Sequence, residues 1–566
     1  YPDLCHKFKN LMEQNLIDRE TKNLTKVIEE LKLEIEFLKK QKKYGLVWDE
    51  KPEEIVSQCE ENIPTLKAVK NREIISDGLL PINLLIEGDN YHSLSVLNYT
   101  HKEKVDVIYI DPPYNTGARD WRYNNDYVDS EDPYRHSKWI SFLYKRIRLA
   151  KNLLKPDGVI CVTIDDYELA RVLMMLDEIF GSENHLGTIV IRNNPKGRMT
   201  NRKVSLVHEY AVLYGKTDLS RIAKLPENPE DKSHSYKQDQ DGSWYLPINL
   251  RKQGVDSLAV NKKGKLSDRY FPIYFDLKTN KISVTEKYEV EIWPIDPSGE
   301  KRIWRRGKDA IEDMYLSGDL WVKKSKDKYQ IYFKFKGGLS GKMVQSIWSD
   351  TKYSASEHGT RILDQILGKR EQFQYPKSPF AVMDCLLASS NSKEALVVDF
   401  FAGSGTTGHA VLELNKLDSG SRRFILCTNN ENNICEEVTY NRLSNVINGY
   451  KNKKGETVHS LGGNLAYYKA DLVDVGKLHK ITDELKIKIT YQAGEMIAIR
   501  EDTLNEVEKN SWWQIFESNE RITAVYFKEN KEKIDELIKI LENKNLPTIL
   551  YIFGWGKNEY KNEYSI

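Results

Sequence analysis

The chain has 566 residues, enough for several domains, and its 85 Lys plus Arg nearly balance its 84 Asp plus Glu. This balance excludes nucleic-acid binding through a strong overall positive charge, so any basic face must be local. The six cysteines lack paired metal-ligand spacing, and we find neither a signal peptide nor an apolar run of about 18 residues. We therefore expect a cytoplasmic protein with no metal and no membrane anchor. The chain does not begin with Met, which leaves open whether residues precede Tyr1.

A charged helix is the first predicted element, over residues 17–43. The apolar residues that share one stripe of this helix are Leu24, Ile28, Leu31, Ile35 and Leu38. Two heptads are compatible both with packing on the helix's own domain and with a contact between two copies of the chain. The second alternative predicts a homodimer.

A strand, a turn and a helix are predicted from about Pro81 onward. Residues 82–86 favour a strand and residues 91–97 a helix, with Gly88, Asp89 and Asn90 between them. Asp and Asn are both good helix N-caps, so the residues alone predict that Asp89 or Asn90 caps this helix.

The next strand ends in a motif of unusual composition. Residues 105–110 are almost wholly apolar, which predicts a strand buried on both faces of a parallel sheet. The prolines of Asp111-Pro112-Pro113-Tyr114 end this strand, because proline cannot donate to a ladder and fixes its own φ. A carboxylate and an aromatic ring are thus expected at the carboxyl end of a buried strand, where open α/β sheets bind their ligands.

This motif suits chemistry on the exocyclic amine of an aromatic base. The lone pair of such an amine is delocalised into the ring, and two acceptors aimed at its hydrogens, the Asp111 side chain and the Pro112 carbonyl, would favour a tetrahedral nitrogen. Tyr114 would stack on a base that has left the duplex. The motif alone is equally compatible with a strand terminator whose Asp faces solvent.

Aromatic and basic segments follow the motif. Residues 118–132 are rich in Trp, Tyr, Asn and Asp and predict a loop over the target base, with Trp121 and Tyr123 in reach of it. Residues 135–154 predict a helix whose basic face meets either phosphates or solvent. Residues 158–164 predict another strand, and we expect the acids after it to cap a helix.

The composition changes near His185. Residues 186–270 contain 16 Lys plus Arg against 9 Asp plus Glu, in a chain that is otherwise neutral. The cations that accompany several Asn residues here are Lys196, Arg198, Arg202 and Lys203, and such groups pair with phosphates and base edges. Short alternating strands then continue to about residue 335. We predict a DNA-contacting insert over residues 186–345.

A second motif lies in a glycine-rich segment. Residues 395–400 predict another buried strand, and Phe401-Ala402-Gly403-Ser404-Gly405-Thr406-Thr407-Gly408 precedes a helical pattern. Strand, glycine turn and helix together predict a loop that a ligand approaches closely at a helix N-terminus. No Lys-Ser or Lys-Thr follows the glycines, so this is not a Walker loop. We expect both motifs to end buried parallel strands and to open onto one crevice.

The tail predicts a small α/β unit. Residues 522–527, 531–541 and 548–553 favour strand, helix and strand in turn. No catalytic cluster is evident in this tail, so we expect it to serve oligomer contacts or the docking of a partner subunit.

The two motifs, in this order and around a long insert, resemble the β class of DNA amino-methyltransferases, in which the DPPY form is typical of adenine N6 methylation. Three further segments, KYGLVW at 43–48, YRHSKW at 134–139 and GGNL at 462–465, resemble the methylation subunit of type III restriction-modification systems. The likeness extends from about residue 43 to residue 475.

The resemblance implies an α/β fold: a Rossmann-like S-adenosylmethionine-dependent methyltransferase sheet, interrupted by a target-recognition insert. It implies two methyltransferase halves at 76–185 and 346–462 around a target-recognition domain at 186–345. The additions would be an N-terminal helical region at 1–75 and a C-terminal α/β domain at 463–566.

The resemblance also implies the site residues. Catalysis is expected of Asp111, Pro112, Pro113 and Tyr114. Binding of S-adenosylmethionine is expected of Asp89, Asn90, Asp111, Lys377, Asp399, Phe401, Ala402, Gly403, Ser404, Gly405, Thr406, Thr407, Thr428 and Asn430. Binding of DNA is expected of Trp121, Tyr123, Lys196, Arg198, Arg202 and Lys203.

Within the cofactor set, Asp89 is expected at the adenine, Lys377 at the carboxylate and Asp399 at the amino group of the cofactor. Lys377 also fits a plain helix entry ahead of Pro379. Relatives place an acid at the end of the strand over residues 424–427 to bind the ribose. This chain has Thr428 there, so that contact falls to Thr428, Asn430 or Glu431.

The implied activity is methyl transfer to adenine N6 in double-stranded DNA after base flipping, by the modification subunit of a type III system. A restriction subunit would be a separate chain that supplies the motor. The alternatives are cytosine N4 methylation, an adenine methyltransferase without a restriction partner, and a DNA-reading subunit whose main task is to position a nuclease or translocase.

Overall fold

The structure is a computed structural model that describes residues 52–553 and Lys32. Within that range the segments left undescribed are 78–79, 117, 124–125, 130–131, 198–203, 227–236, 240, 242–243, 255–256, 261–263, 326–327, 337–340, 371–372, 475–482 and 528–529. The helix predicted over residues 17–43 and the segment at 43–48 lie outside the described residues, Lys32 excepted.

Helices and strands alternate in the first part of the chain. They are α1 (Glu54–Glu61), β1 (Ile63–Ala68), β2 (Ile74–Ile75), β3 (Ile82–Glu87), α2 (Asn90–Thr100), β4 (Val105–Ile110), β5 (Ala118–Tyr123), β6 (Asp126–Asp129), α3 (Arg135–Leu153), β7 (Leu154–Ile164), α4 (Leu169–Phe180), β8 (His185–Ile191) and β9 (Glu209–Gly215).

Short strands dominate the next part. They are β10 (Lys237–Gln238), β11 (Trp244–Asn249), β12 (Ile273–Phe275), β13 (Ile282–Ser283), β14 (Val290–Ile292), β15 (Leu320–Ser325) and β16 (Lys328–Phe335), with helix α5 (Lys308–Leu316) before β15. These elements enclose a hydrophobic cluster of their own, around Ile273, Trp304 and Phe333. They therefore form a separately packed insert, as the short alternating strands predict.

The alternation then resumes. The elements are β17 (Ile347–Trp348), α6 (Arg361–Leu367), α7 (Pro379–Ser389), β18 (Leu396–Asp399), α8 (Thr406–Asp418), β19 (Arg423–Thr428), α9 (Tyr440–Asn448), β20 (Tyr450–Lys451), β21 (Thr457–Val458) and β22 (Asn464–Val473). The C-terminal part contains α10 (Asp483–Arg500), β23 (Asn505–Lys509), β24 (Trp513–Glu517), β25 (Ile522–Tyr526), α11 (Lys531–Glu542) and β26 (Thr548–Ile552).

One large sheet joins the two catalytic halves. Its order is β1-β22-β3-β19-β18-β4-β7-β9-β8-β17, and β2 pairs with β22. The six strands from β22 to β7 are parallel, whereas β1 and β9 pair antiparallel to the strands beside them. The predicted Rossmann-like α/β sheet, interrupted by an insert, is confirmed.

Helices cover both faces of this sheet. Alternate residues of β4 point to opposite faces, so Ile108 packs in the cluster with α2, α3 and α4, while Val107 packs in the cluster with α7, α8 and α9. Because both faces are covered, both sets of side chains must be apolar. This explains why the central strands read as continuous apolar runs rather than as alternating ones.

The predicted domain boundaries need correction where strands join this sheet. β8 and β9 extend it beside β7, so residues 186–215 belong to the catalytic sheet and not to the insert. At the other end β22 and β1 pair with each other within the same sheet, so neither 463 nor 75 separates domains. An edge strand carries the same alternating pattern as a strand of a separate sheet, and only its pairing distinguishes the two.

The C-terminal elements form a mixed four-stranded sheet, β23-β24-β25-β26, with α11 packed on it. Strand, helix and strand at β25, α11 and β26 agree with the sequence prediction, and β23 and β24 add to it. In the part of the chain that the structure describes, no helix is long and apolar enough to cross a membrane.

Candidate active site

The two motifs meet at one edge of the sheet. β4 and β18 are parallel neighbours, with Val107 opposite Val397 and Ile108 opposite Val398. Their carboxyl ends therefore deliver the DPPY loop and the glycine loop side by side. A third loop, after β3, joins them because Asn90 Nδ2 donates to the carbonyl of Phe400 over 3.1 Å. The predicted single crevice is thus observed.

Asp111 is held from two sides at the end of β4. Its Oδ1 accepts from Thr163 Oγ1 at 2.8 Å and from Tyr114 OH at 2.9 Å, and 26% of its side chain is exposed. Burial raises the pKa of Asp111, and the ammonium of Lys377 opposes this increase. Asp111 therefore has fixed geometry, and its charge depends on its neighbours.

Lys377 and Glu209 complete a polar network around Asp111. Lys377 Nζ lies 3.1 Å from Asp111 Oδ1 and donates to Tyr114 OH and to Glu209 Oε2. Glu209 is buried at the start of β9, where it also accepts from Asn193 Nδ2 at 2.7 Å. Glu209 was not predicted from the sequence, although an acidic residue at the start of an apolar strand could have indicated it.

Tyr114 is engaged at both its hydroxyl and its ring. The hydroxyl bonds Asp111 and lies 3.1 Å from Glu209 Oε2, and the Lys377 ammonium sits 4.7 Å from the ring centroid. Burial raises the pKa of Tyr114 well above its ordinary value, so the hydroxyl keeps its proton and donates. The stacking of this ring on a base stays a prediction.

The rest of the DPPY loop is fixed by buried groups. Trp139 Nε1 donates to the carbonyl of Pro113 at 2.7 Å. Asn115 adopts a left-handed backbone with φ of +55°, and its Nδ2 donates to Glu168 at 2.6 Å. Glu168 is fully buried and also contacts His136 and Arg171. This network compensates for the strained backbone that follows the motif.

The glycine loop needs its glycines. Gly403 and Gly405 have φ of +48° and +75°, a region that favours glycine. A Cβ at Gly403 would lie 3.1 Å from the Phe373 ring, and one at Gly405 would lie 3.1 Å from Thr439. The loop turns directly into the N-terminus of α8, whose backbone N–H groups favour a polar ligand there.

Asp399 braces this loop from inside. Its Oδ1 accepts from the backbone N–H of Phe401 at 2.9 Å, and its Oδ2 accepts from Thr407 Oγ1. Burial raises the pKa of Asp399 to about 7. The carboxylate predicted to hold the cofactor's amino group is therefore already bonded to its own loop.

Arg442 supports the glycine loop from behind. Fully buried on α9, it donates to the carbonyl of Ser404 at 3.3 Å, to Ser404 Oγ at 3.1 Å and to Thr406 Oγ1 at 2.8 Å. Burial lowers the pKa of Arg442 to about 9. The hydroxyls of Ser404 and Thr406 thus face the interior. Sequence reasoning missed Arg442, a charged residue within the apolar stripe of α9.

A buried arginine also supports the loop after β3. Arg146, 1% exposed, bonds Asn90 Oδ1, Glu53 Oε2 at 2.8 Å and the carbonyl of Phe142 at 2.9 Å. The sequence predicts that the basic residues of this helix face phosphates or solvent. That interpretation is wrong for Arg146, because its side chain points from α3 into the protein and bonds buried groups there.

Comparison with known proteins agrees with this geometry. The family model described as DNA methylase, N6_N4_Mtase, matches residues 105–439, more than half of the chain. The chain belongs to this DNA methylase family. The resemblance drawn from the two motifs is thereby confirmed, and the protein is a DNA methyltransferase.

Its relatives include two kinds of DNA methylase. The type II methyltransferase M.KpnI of Klebsiella pneumoniae is 34% identical over 346 residues, which are 61% of this chain and 79% of that protein. The EcoPI Mod subunit of Escherichia phage P1, from a type III restriction-modification enzyme, is 34% identical over 383 residues, which are 62% of this chain and 58% of that protein. The StyLTI Mod subunit of Salmonella typhimurium is 29% identical, over 64% of this chain and 55% of that protein. The chain thus spans little more than half the length of these Mod subunits.

Solved structures with some likeness include M1.HpyAVI in complex with SAM and the cytosine-N4-specific PvuII DNA methyltransferase. Their TM-scores are 0.29 and 0.31, at 14% and 13% identity. The first match covers 64% of this chain and 98% of that chain, and the second 62% and 83%. The family assignment does not rest on them.

The remaining predicted cofactor residues of this DNA methylase line the same edge. Asp89 caps α2 by accepting from Tyr91 N at 2.7 Å and stays 40% exposed. Ala402 is buried, and its backbone N–H donates to the carbonyl of Cys427 at 3.2 Å. The ring of Phe401 packs against that of Phe142.

The predicted ribose site lies at the end of β19. The carbonyl of Thr428 accepts from Gly88 N at 3.0 Å, and Asn430 Oδ1 accepts from Glu436 N at 3.1 Å. Both residues therefore shape the turn. A contact with a ribose stays a prediction.

The predicted DNA-binding residues are only partly described. Trp121 and Tyr123 lie in β5, but their side chains are outside the described part. Lys196 is exposed in the loop after β8. Three others, Arg198, Arg202 and Lys203, lie outside the described residues.

Proposed function

We propose that this DNA methylase transfers a methyl group from S-adenosylmethionine to adenine N6 in double-stranded DNA. The observation that carries the proposal is the adjacency of β4 and β18, which brings Asp111 and the glycine loop to one cleft. An amine acceptor site and a backbone cradle at one sheet edge are what transfer between two bound molecules requires.

The residues present fit the cofactor. Gly403 and Gly405 leave their loop without side chains at positive φ, so a ligand can approach the backbone closely at the start of α8. When bound, S-adenosylmethionine supplies a methyl group already activated by a positive sulfur. We assign its binding to the loop from Asp399 to Thr407, to Asp89 and Asn90, and to Thr428 and Asn430. Lys377 is not included in this set, because its ammonium contacts Asp111.

On the acceptor side, Asp111 and the carbonyl of Pro112 would accept from the two hydrogens of the adenine amine. These contacts localise the nitrogen lone pair and stabilise the positive charge that develops on nitrogen. Tyr114 would stack on the base. An adenine within a duplex cannot reach the end of β4, so the base must leave the stack, at a cost of a few kcal/mol.

DNA would be bound by residues outside this cleft. We assign that role to the insert, to the basic residues that follow β8 in the sequence (Lys196, Arg198, Arg202 and Lys203), and to Trp121 and Tyr123. Cations and amides of this kind position phosphates and read base edges.

We further propose that the protein is the modification subunit of a type III restriction-modification system. The relatives described as Mod subunits support this proposal. The sequence contains no Walker loop, so the motor would be a separate restriction subunit. A homodimer is proposed from the helical stripe at 17–43.

Product analysis tests the reaction. Purified protein, S-adenosylmethionine and unmethylated plasmid DNA are incubated, and the digested nucleosides are identified by mass spectrometry. We expect N6-methyladenine, and its loss in Asp111→Asn. N4-methylcytosine as the product would contradict the adenine assignment, and an active Asp111→Asn would contradict the mechanism.

Partner analysis tests the type III proposal. Affinity purification of the tagged protein from its source cells should yield a stoichiometric ATPase-nuclease chain, and adding that chain and ATP should produce DNA cleavage at unmethylated sites. Recovery of an active methyltransferase without such a chain would favour an enzyme that acts alone.

A further inference from the structure

Lys377 lies where the catalytic carboxylate, a buried acid and an aromatic ring converge. Its Nζ is 3.1 Å from Asp111 Oδ1 and also bonds Tyr114 OH and Glu209 Oε2, with only 11% of the side chain exposed. We infer that Lys377 is a positioning residue that fixes Asp111 and keeps it in the carboxylate form in which it accepts from the target amine.

Glu209 is what holds Lys377 in this place. Its Oε2 receives Lys377 Nζ, Asn193 Nδ2 at 2.7 Å and Tyr114 OH at 3.1 Å, and its side chain is 3% exposed. Glu209 belongs to β9, where its backbone pairs with Ile191 of β8. A buried carboxylate is costly without a cation, so Glu209 retains the ammonium of Lys377 beside Asp111.

The chemistry at Asp111 depends on its charge. A carboxylate offers only acceptors, whereas a protonated carboxyl presents one O–H donor that would face the amine hydrogens. Burial favours the protonated form, and a nearby cation favours the ionised form. Lys377 therefore opposes the tendency of this pocket to neutralise its own catalytic acid.

The groups that surround Asp111 come from six parts of the fold. They are Tyr114 on its own loop, Tyr109 on β4, Thr163 on β7, Glu209 on β9, Asp399 at the end of β18 and Lys377 before α7. Among these described neighbours Lys377 supplies the positive charge. Glu209 raises the pKa of Asp111, and Asp111 raises the pKa of Asp399.

This role differs from the contact with the cofactor's carboxylate that the sequence predicts for Lys377. Here the ammonium is turned toward the acceptor side of the cleft, and three protein oxygens already surround it. The inference rests on the proposed function, because that proposal assigns the target amine to Asp111.

The pH dependence of kcat/KM tests the inference, since this ratio reports the free enzyme. In Lys377→Met the pKa of Asp111 should rise, so the acid limb should move to higher pH by about 1–3 units. Lys377→Arg keeps the charge and should restore most of the wild-type profile. The matched control is Lys352→Met, which removes an ion pair with Asp384 of α7 and leaves the contacts of Asp111 in place.

A second variant covers the case in which Lys377→Met does not fold, because it leaves Glu209 buried without its cation. Lys377→Met/Glu209→Gln removes both charges. Lys377 contacts Asp111 directly and Glu209 does not, so loss of the cation should dominate and the acid limb should still move upward, by a smaller amount.

Titration calorimetry with S-adenosylmethionine completes the test. A displaced acid limb in Lys377→Met with cofactor affinity within about two-fold of wild type is the expected result. An unshifted profile with weakened cofactor binding would overturn the inference in favour of a cofactor contact. An unshifted profile with an inactive Asp111→Asn would overturn the inference alone, and full activity in Asp111→Asn would overturn the proposed function itself.

Discussion

The side-chain amide of Asn90 donates a 3.1 Å hydrogen bond to the carbonyl of Phe400, across 310 residues of sequence. The same side chain accepts from the buried Arg146. The loop after β3 is thus tied to the end of β18, where the glycine loop begins.

We predict that Asn90→Ala weakens binding of S-adenosylmethionine while affinity for DNA is kept. The substitution removes the Asn90 donor from the Phe400 carbonyl and the Asn90 acceptor from Arg146 Nε, at a cost of about 1–3 kcal/mol in the free energy of unfolding. Calorimetry measures the first effect and denaturant unfolding the second. Asn98→Ala, which removes the hydrogen bonds of a side chain on α2 to the carbonyls of Leu94 on α2 and Leu149 on α3, is the control and should leave cofactor affinity unchanged.

Gly403→Val should abolish cofactor binding. The new side chain would meet the Phe373 ring at 3.1 Å, and its branched Cβ cannot adopt φ of +48° without strain of about 1–2 kcal/mol. Gly368→Val is matched in backbone, with φ of +68°, but has open space around its Cβ. Calorimetric titration should show cofactor binding in the control alone. Binding in both variants would contradict the proposed role of the glycine loop in binding the cofactor.

Arg442→Met should destabilise the glycine loop. Removal of the guanidinium takes away the donor to the buried carbonyl of Ser404 and to Thr406 Oγ1, and a buried acceptor left unsatisfied costs about 1–3 kcal/mol. We expect a lower melting temperature and weaker cofactor binding together. Arg422→Met removes a buried arginine from its pair with Asp418 beyond the far end of α8, so it should lower stability and spare the cofactor affinity.

The buried Asp399 should make stability depend on pH. Its folded pKa is about 7, well above that of an exposed Asp, so the folded state binds the proton more tightly than the unfolded state does. The stabilisation is complete below pH 4 and is lost as the pH rises toward 7. Asp399→Asn cannot ionise, so its melting temperature relative to wild type should increase between pH 5 and pH 8. If the difference in melting temperature between the variant and wild type is the same at pH 5 and at pH 8, Asp399 does not titrate in this range.

The local sequence specified the strands and turns of the catalytic edge. Residues 105–110 and 395–400 are almost wholly apolar because a parallel strand between two layers of helices has no solvent-facing side. The prolines after Ile110 restrict the backbone, and the glycines after Ala402 permit the positive φ angles that other residues rarely adopt. Such short-range constraints are readable without any knowledge of what lies across the sheet.

Long-range packing decided the rest. The sequence of a helix does not show whether an arginine on it contacts solvent or a buried loop. The roles of Arg146 and Arg442 could therefore be assigned only from the elements packed against them. Strands near the ends of the sheet, such as β8 and β22, carry no sign in their sequence of which sheet they join. The chain alone therefore determined the two motifs and their chemistry, whereas tertiary structure decided which charges surround Asp111. Glu209 reaches Asp111 only because β9 joins the sheet beside β7, and Lys377 only because the segment before α7 folds to the same edge.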